Sequence, residues 1–230
     1  MTFSILRLEA PMMSFGAPIV SEEGLIQPFP ALSMMTGLLA NALGYDRREA
    51  EKHERLQAAI SYAVREDVPG RKIVDYQTVD LGSGHMLAYG AKKKSVAWTT
   101  WGHLDQRAGS DSSKETAERN REYWADAQYT VALHVEHLSA AAVEDAFVRP
   151  ARPLFIGRKP CLPSGRIFWC TAEAASPQEA LRMPKTIPDG VEPRCLWHES
   201  DDARARPVTD ARDWTNQIHV GERRVEQSAF

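Results

Sequence analysis

The sequence predicts an α+β fold of the ferredoxin-like βαββαβ type, with a large insertion between its second and third strands. Three observations carry this. Strand-like runs alternate with stretches of helical periodicity through the first 175 residues. A Ser- and charge-rich excursion, roughly residues 80–120, interrupts that alternation. No repeat and no clear linker divides the chain. The expected organisation is one domain over 1–175, with the insertion at about 80–120. Residues 176–230 are expected to form a C-terminal β-rich extension packed on the same domain.

"FSILRL" (3–8) alternates imperfectly and reads as the first strand, and "APMMSFGAP" (10–18) as a turn-rich exit. Ser33 opens "SMMTGLLANALGY", where its hydroxyl is expected to cap a helix that Gly44 closes. "DRREAEKHERLQAAI" (46–60) reads as a second helix with a solvated charged face. "SYAVRE" (61–66) and "KIVDYQTV" (72–79) read as strands around the turn "DVPG". "SVAWTTW" within the insertion has strand residues and suits a hairpin. "EYWADAQYTVALHVE" (122–136) is the clearest strand region. "SAAAVEDAFV" (139–148) reads as a helix capped by Ser139. "RIFWCTAEA" (166–174) reads as a strand, and "SPQEALRM" (176–183) as a helix with Pro177 in its first turn. "EPRCLWHE" and "WTNQIHV" are strand-like pieces of the extension.

Composition narrows the function classes. The net charge of −3 over 230 residues gives no global pull toward nucleic acid, so only a local patch can support that function. No window approaches 18 consecutive apolar residues, which argues against a membrane helix. The opening "MTFSILRLEAP" lacks a basic segment and breaks at Pro11, so it does not read as a signal peptide. Three cysteines without C-x-x-C spacing suit reduced thiols in the cytoplasm.

One such patch exists. "VRPARPLFIGRKPCLPSGR" (148–166) carries Arg149, Arg152, Arg158, Lys159 and Arg166 and no carboxylate. Gly157 would let backbone amides approach an anion, the cations would pair with phosphate, and Phe155 would stack on a base. The competing reading is a solvated loop between a helix and a strand. A second cluster, Lys92, Lys93 and Lys94, lies near Trp98 and Trp101, an interleaving that suits single-stranded nucleic acid. The catalytic inventory is thin. His134 and His137 would face opposite sides of a strand, and the adjacent Lys52 and His53 sit among Glu49, Glu51 and Glu54 in a helical window. No phosphate-loop, dinucleotide, nucleophile-elbow or zinc-protease motif occurs. No catalytic residue, metal site or cofactor is therefore assigned.

The chain resembles the CasD family, a subunit of the type I-E CRISPR surveillance complex Cascade. "LRLEAPMMSFG" (6–16) is similar to that family's opening, with Ala10 in place of a glycine and Phe15 in place of a common tryptophan. "FPALSMMTGLLANALG" (29–44), "DYQTV" (75–79), "REYWADAQYTVAL" (121–133) and "RPARPLFIGRKPCLPS" (149–164) follow in the family's order. The resemblance implies a modified, RRM-related ferredoxin-like domain with a β-hairpin thumb and a glycine-rich loop before the last core strand. It implies a non-catalytic protein that grips the 5′ handle of crRNA and contacts the Cascade backbone and large subunits. Target DNA would be met only through the assembled complex. Carried over by position, it implies RNA contacts at Ser33, Arg121, Phe155, Gly157, Arg158 and Lys159, beside Arg149 and Arg152. Two rival readings are a metal-independent endoribonuclease that processes repeat RNA and a protein-interaction scaffold without RNA contact.

Overall fold

Strand β1 (Thr2–Glu9) is covered on both faces. Phe3 and Ile5 enter one apolar cluster and Leu6 and Leu8 another, all four at 0% exposure. A strand buried on both sides has no polar face to alternate with, which explains its imperfect pattern. The computed structural model describes residues 1–16, 18, 23–80, 96–98, 104–106 and 116–230. Two units divide the chain. One comprises Met1–Pro18, Leu25–Ile73 and Glu122–Phe230, the other Ile19–Gly24 and Val74–Arg121.

In chain order, β1 is followed by β2 (Met12–Met13), β3 (Glu23–Gly24), helices α1 (Leu32–Ala42) and α2 (Ala50–Ala59), β4 (Ile60–Val68) and β5 (Arg71–Asp80). Then come β6 (Val96–Trp98), β7 (Leu104–Gln106), β8 (Thr116–Ala125), β9 (Gln128–Val135), α3 (Ala140–Val148) and β10 (Phe168–Glu173). The chain closes with α4 (Pro177–Arg182), β11 (Cys195–Glu199), β12 (Arg206–Val208), β13 (Ala211–Asp213), β14 (Ile218–Val220) and β15 (Arg223–Ala229).

The first unit is built on a seven-stranded sheet in the order β10-β1-β9-β4-β11-β15-β12. Its pairings are antiparallel, with Leu6 opposite Val131 and Val64 opposite both Val131 and Trp197. The C-terminal strands β11, β15 and β12 thus extend the main sheet by hydrogen bonding from β4 onward. Helices α1, α2 and α3 cover the face carrying Leu6 and Leu8, through Leu39, Leu56, Val143 and Phe147. Helix α4 covers the opposite face through Ala180 and Leu181. Among the described residues, no helix is long and apolar enough to cross a membrane.

Several local signals hold. Ser139 accepts the Ala142 N–H at 3.2 Å, as a cap should. Ser176 accepts the Glu179 N–H at 3.1 Å while Glu179 accepts the Ala175 N–H at 2.8 Å, so α4 starts with a reciprocal cap. Others are corrected. Ser33 lies inside α1, and Ala31 stands at its N-cap without a side-chain bond. The cap comes instead from Asp210, whose carboxylate accepts the Leu32 N–H at 3.0 Å and whose carbonyl accepts the Ser33 N–H at 2.9 Å. The second helix starts at Ala50 rather than 46, because Asp46 and Glu49 form a turn in which Glu49 accepts the Asp46 N–H at 2.7 Å.

The region 122–136 is two strands in different sheets. The chain breaks at Asp126, whose φ is +58°, and Gly70 packs where a Cβ would lie 2.6 Å from the Ala127 Cβ. Strand β5 likewise leaves the main sheet after the turn and pairs with β8. In the extension, residues 214–217 are the turn of a hairpin rather than strand, with Gln217 at φ +61° between β13 and β14.

A polar network crosses the face under α4. Arg65 on β4 is 0% exposed. Its guanidinium donates to Asp67 Oδ1 at 2.5 Å, the Leu181 carbonyl at 2.5 Å, the Thr186 carbonyl at 2.6 Å and Thr130 Oγ1 at 3.2 Å. Thr130 in turn donates to Asp67 Oδ2. A longer contact from Nη1 to Thr186 Oγ1 at 3.5 Å uses the fifth N–H, and α4 with the 3-10 turn after it is tied to the sheet.

Candidate nucleic-acid interface

The segment between α3 and β10 runs as an irregular loop, and its shape follows from three backbone anchors. Ala151 N–H donates to the Ala42 carbonyl at 2.9 Å, Ser14 N–H to the Ile156 carbonyl at 3.2 Å, and Ser164 N–H to the Glu9 carbonyl at 2.8 Å. A tight turn closes between them, where the Ile156 N–H donates to the Cys161 carbonyl at 2.8 Å and the Cys161 N–H to the Arg158 carbonyl at 2.9 Å. Ile156 and Cys161 are buried at its base. Burial pushes the Cys161 thiol pKa up, which suits a reduced core cysteine.

Gly157 sits in this turn at φ +92°, and a Cβ there would lie 1.7 Å from the Ser14 carbonyl oxygen. The glycine is required because the turn packs directly on the chain after β2. That reason differs from the expected one of leaving room for an anion.

The cations of the loop differ in freedom. Arg158 is half-buried, donates from Nη1 to the Glu122 carbonyl at 2.8 Å and lies 4.9 Å over the Tyr123 ring. Arg152 is exposed and donates to the Tyr45 and Gly44 carbonyls at 2.6 and 3.1 Å, closing the end of α1. Arg149 is exposed and paired with Asp145 one turn earlier on α3. Such an exposed pair is worth about 0–1 kcal/mol, so a phosphate can take over the guanidinium at little cost. Lys159 is exposed. Phe155 is partly exposed, and neither apolar cluster of the described residues includes it.

Two of the predicted residues lie elsewhere. Ser33 is 8% exposed, with its hydroxyl 3.4 Å from His219 Nε2 on β14. Arg121 belongs to the second unit, in β8, and donates from Nε to Gln77 Oε1 at 3.2 Å. Lys92, Lys93 and Lys94 lie outside the described residues.

The environment of Ser33 was not legible in sequence. His219 and Asp210 come from a hairpin more than 170 positions away. Asp210 is 0% exposed and accepts from Arg223 at 2.8 and 2.7 Å, while Arg223 also donates to Tyr62 Oη at 2.6 Å. Burial first and then Arg212 hold the His219 pKa below its ordinary value, with Asp210 opposing. The neutral ring is therefore favoured in the folded state. As pH falls through the ordinary histidine range, the unfolded chain takes up this proton first, so stability drops. Melting curves across that range should show a slope that is shallower in His219→Gln.

The charged-face reading of Lys52 and His53 is corrected in the same way. Lys52 pairs with Glu49 at 2.5 Å, but His53 is 6% exposed. Its ring stacks on Trp214 at 4.6 Å and its Nδ1 lies 2.9 Å from the Glu49 carbonyl. Among the described residues, no three His, Cys, Asp or Glu side chains gather as a metal-ligand set.

Comparison with known proteins agrees with this architecture. Residues 4–226 match the family described as CRISPR-associated protein (Cas_Cas5). The CRISPR system Cascade subunit CasD of Escherichia coli (strain K12) is 29% identical over 185 residues, covering 78% of this chain and 75% of that protein. A solved CRISPR RNA-guided surveillance complex contains a chain of similar fold, with a TM-score of 0.69 at 24% identity, covering 99% of this chain and 89% of that one. A crystal structure of a Cas protein aligns with a TM-score of 0.58 at 21% identity, covering 99% and 94%. The mixed α/β fold with its large antiparallel sheet is thus shared with solved Cas proteins, and the chain belongs to the CRISPR-associated Cas_Cas5 family.

Proposed function

We propose that the chain is a non-catalytic RNA-binding subunit of a type I-E CRISPR Cascade complex, which grips the 5′ handle of crRNA through the 149–159 loop. The observation that carries this is the loop's surface. It presents Arg149, Arg152, Phe155 and Lys159 to solvent with no carboxylate between residues 148 and 166. A phosphate chain meets no repulsion from within that segment, and phosphate contacts set position while stacking discriminates bases. The order β10-β1-β9-β4, with α1 and α2 before β4 and α3 before β10, supports the ferredoxin-like, RRM-related reading. Yet the face that an RRM offers to bases is here filled by α4, with Phe3 and Ile5 at 0% exposure. RNA therefore has the loop to bind rather than the part of the sheet that α4 covers.

In this reading the protein partners are the backbone and large subunits, target DNA is met through the complex, and the compartment is the cytoplasm. The insertion, including Lys92, Lys93 and Lys94, would act as the thumb, and Arg121 and Ser33 would add RNA contacts from their own positions. Arg158 and Gly157 act by shaping the turn. The endoribonuclease reading is disfavoured, because stacked, buried His53 is not presented to a phosphodiester.

The test is RNA binding across a salt series for Arg149→Gln with Lys159→Glu, two exposed positions whose change spares the Arg158 anchor. Each lost phosphate contact should lower the slope of log K against log salt by roughly 0.7. A parent slope in the folded double variant would remove the loop from the RNA interface. Phe155→Ala should leave the melting temperature near the parent's but weaken binding by about 1–3 kcal/mol, while Phe155→Tyr keeps it. A melting temperature that falls along with affinity would instead make Phe155 a packing residue.

A further inference from the structure

A cleft in the first unit is lined by Arg7, Glu9, Gly165 and Arg166. Arg7 projects from β1, where its guanidinium lies 5.3 Å over the ring of Trp169 on β10. An aromatic face under a guanidinium holds it in place without neutralising it. The nearest carboxylate is Glu9, 3.7 Å from Arg7 Nη2, with both side chains partly exposed at 34% and 42%. Such a pair is weak and open to competition. Arg166 is exposed and has no ion pair among the described residues. At Gly165 a Cβ would meet nothing within 4 Å, so the backbone there is approachable. Two guanidinium groups thus share one small cleft with one weakly held carboxylate, and among the described residues no second carboxylate pairs with them.

We propose that this cleft is a second phosphate subsite for the same single-stranded RNA that the 149–159 loop holds. The inference rests on the RNA-binding reading and extends it along the strand. Continuity between the two sites supports RNA as the occupant. Glu9 lines the cleft, and Ser14 packs against Gly157, five residues further on. Five residues span at most about 18 Å even when fully extended. The Ser164 N–H to Glu9 carbonyl bond also ties the end of the loop to the strand that carries Arg7. A few nucleotides leaving the turn can therefore reach Arg7 and Arg166. A phosphate there accepts from both guanidinium groups and displaces Glu9 from Arg7, and Trp169 keeps the Arg7 head from following the carboxylate.

The test uses the full-length chain and labelled single-stranded RNA oligomers of increasing length, with binding read by fluorescence anisotropy over a salt series. Arg7→Gln with Arg166→Gln should leave the shortest bound oligomer unaffected. For the longer ones the slope of log K against log salt should fall by roughly 1.4, about 0.7 for each contact. Glu9→Gln should tighten binding of the longer oligomers, because it removes the competitor for Arg7. Oligomers carrying a photoreactive base should crosslink to peptides spanning residues 165–169 in the parent chain. Parent slopes at every length in the folded double variant, together with unchanged affinity in Glu9→Gln, would overturn the second subsite. If the Arg149 and Lys159 substitutions weaken binding in the same assay, the loop reading survives that outcome alone. Weakened association of the double variant with another protein of the complex, at unchanged RNA affinity, would also overturn it and make the cleft a protein contact. A parent chain that binds no RNA at any length would overturn both readings.

Discussion

Arg65→Met is expected to lower the melting temperature by about 6–20 °C. The side chain of Asp67 is 2% exposed and that of Arg65 0%, so the substitution leaves a carboxylate in the interior without its cation. Breaking a buried pair by removing one partner costs about 3–5 kcal/mol, and a chain of this size loses about 2–4 °C per kcal/mol. The carbonyls of Leu181 and Thr186 lose their guanidinium donors in the same step, and these hold α4 and the following turn over the sheet. Arg65→Lys should recover only part of the loss, since one ammonium cannot reproduce the planar fork that serves Asp67, Leu181 and Thr186 together. Pairing Arg65→Met with Asp67→Leu should recover more than the lysine does, because no uncompensated charge remains. Thermal melts of the three variants check this. A shift under about 2 °C for Arg65→Met would mean that the network adds nothing net to stability.

Gly157→Ala is expected to destabilise the fold by about 2–4 kcal/mol and to abolish tight RNA binding. The positive φ alone costs about 1–3 kcal/mol for a residue with a Cβ. At 1.7 Å from the Ser14 carbonyl oxygen, that Cβ also cannot be accommodated without moving the turn off its support. The Ser14 to Ile156 backbone bond is then lost, and Phe155 and Lys159 are no longer held where the anchored turn sets them. Gly165→Ala is the control for stability alone, since its Cβ meets nothing within 4 Å, and its unfolding free energy should stay within about 0.5 kcal/mol of the parent's. Chemical denaturation and anisotropy on the same samples separate the two effects. Retained stability with lost binding would mean that the turn shifts without strain.

Local chemistry was legible wherever the partners are close in sequence. Ser139 three residues before Ala142, Pro177 beginning α4 and Gly44 at φ +80° after α1 needed only their neighbours. The acid-free loop was legible as a charge pattern, and Arg149, Arg152 and Lys159 are indeed exposed there. Reading failed where a distant group took over a local role. Ser33 had the right residue type for a cap, but Asp210 supplies the cap from 178 positions away. His53 sat in a charged window, yet Trp214, brought in by the C-terminal hairpin, covers it. Arg65 lies in the strand run "SYAVRE", where nothing local marks it as buried, because the carbonyls that bury it belong to residues 181 and 186.

By itself the sequence determined the strands β1, β4 and β10, the helices that cover them, the place of the cationic loop and the family relation, since each depends on residue type and short spacing. Tertiary structure alone decided which cations remain free. Arg158 and Lys159 are adjacent and alike in charge, but the Tyr123 ring and the Glu122 carbonyl hold the first while the second faces water. It also decided that the sheet is closed on both faces and that Arg7 and Arg166 share one cleft. The physical reason is that charge is a property of a residue, whereas its desolvation and pairing depend on groups that only the folded chain brings within a few ångströms.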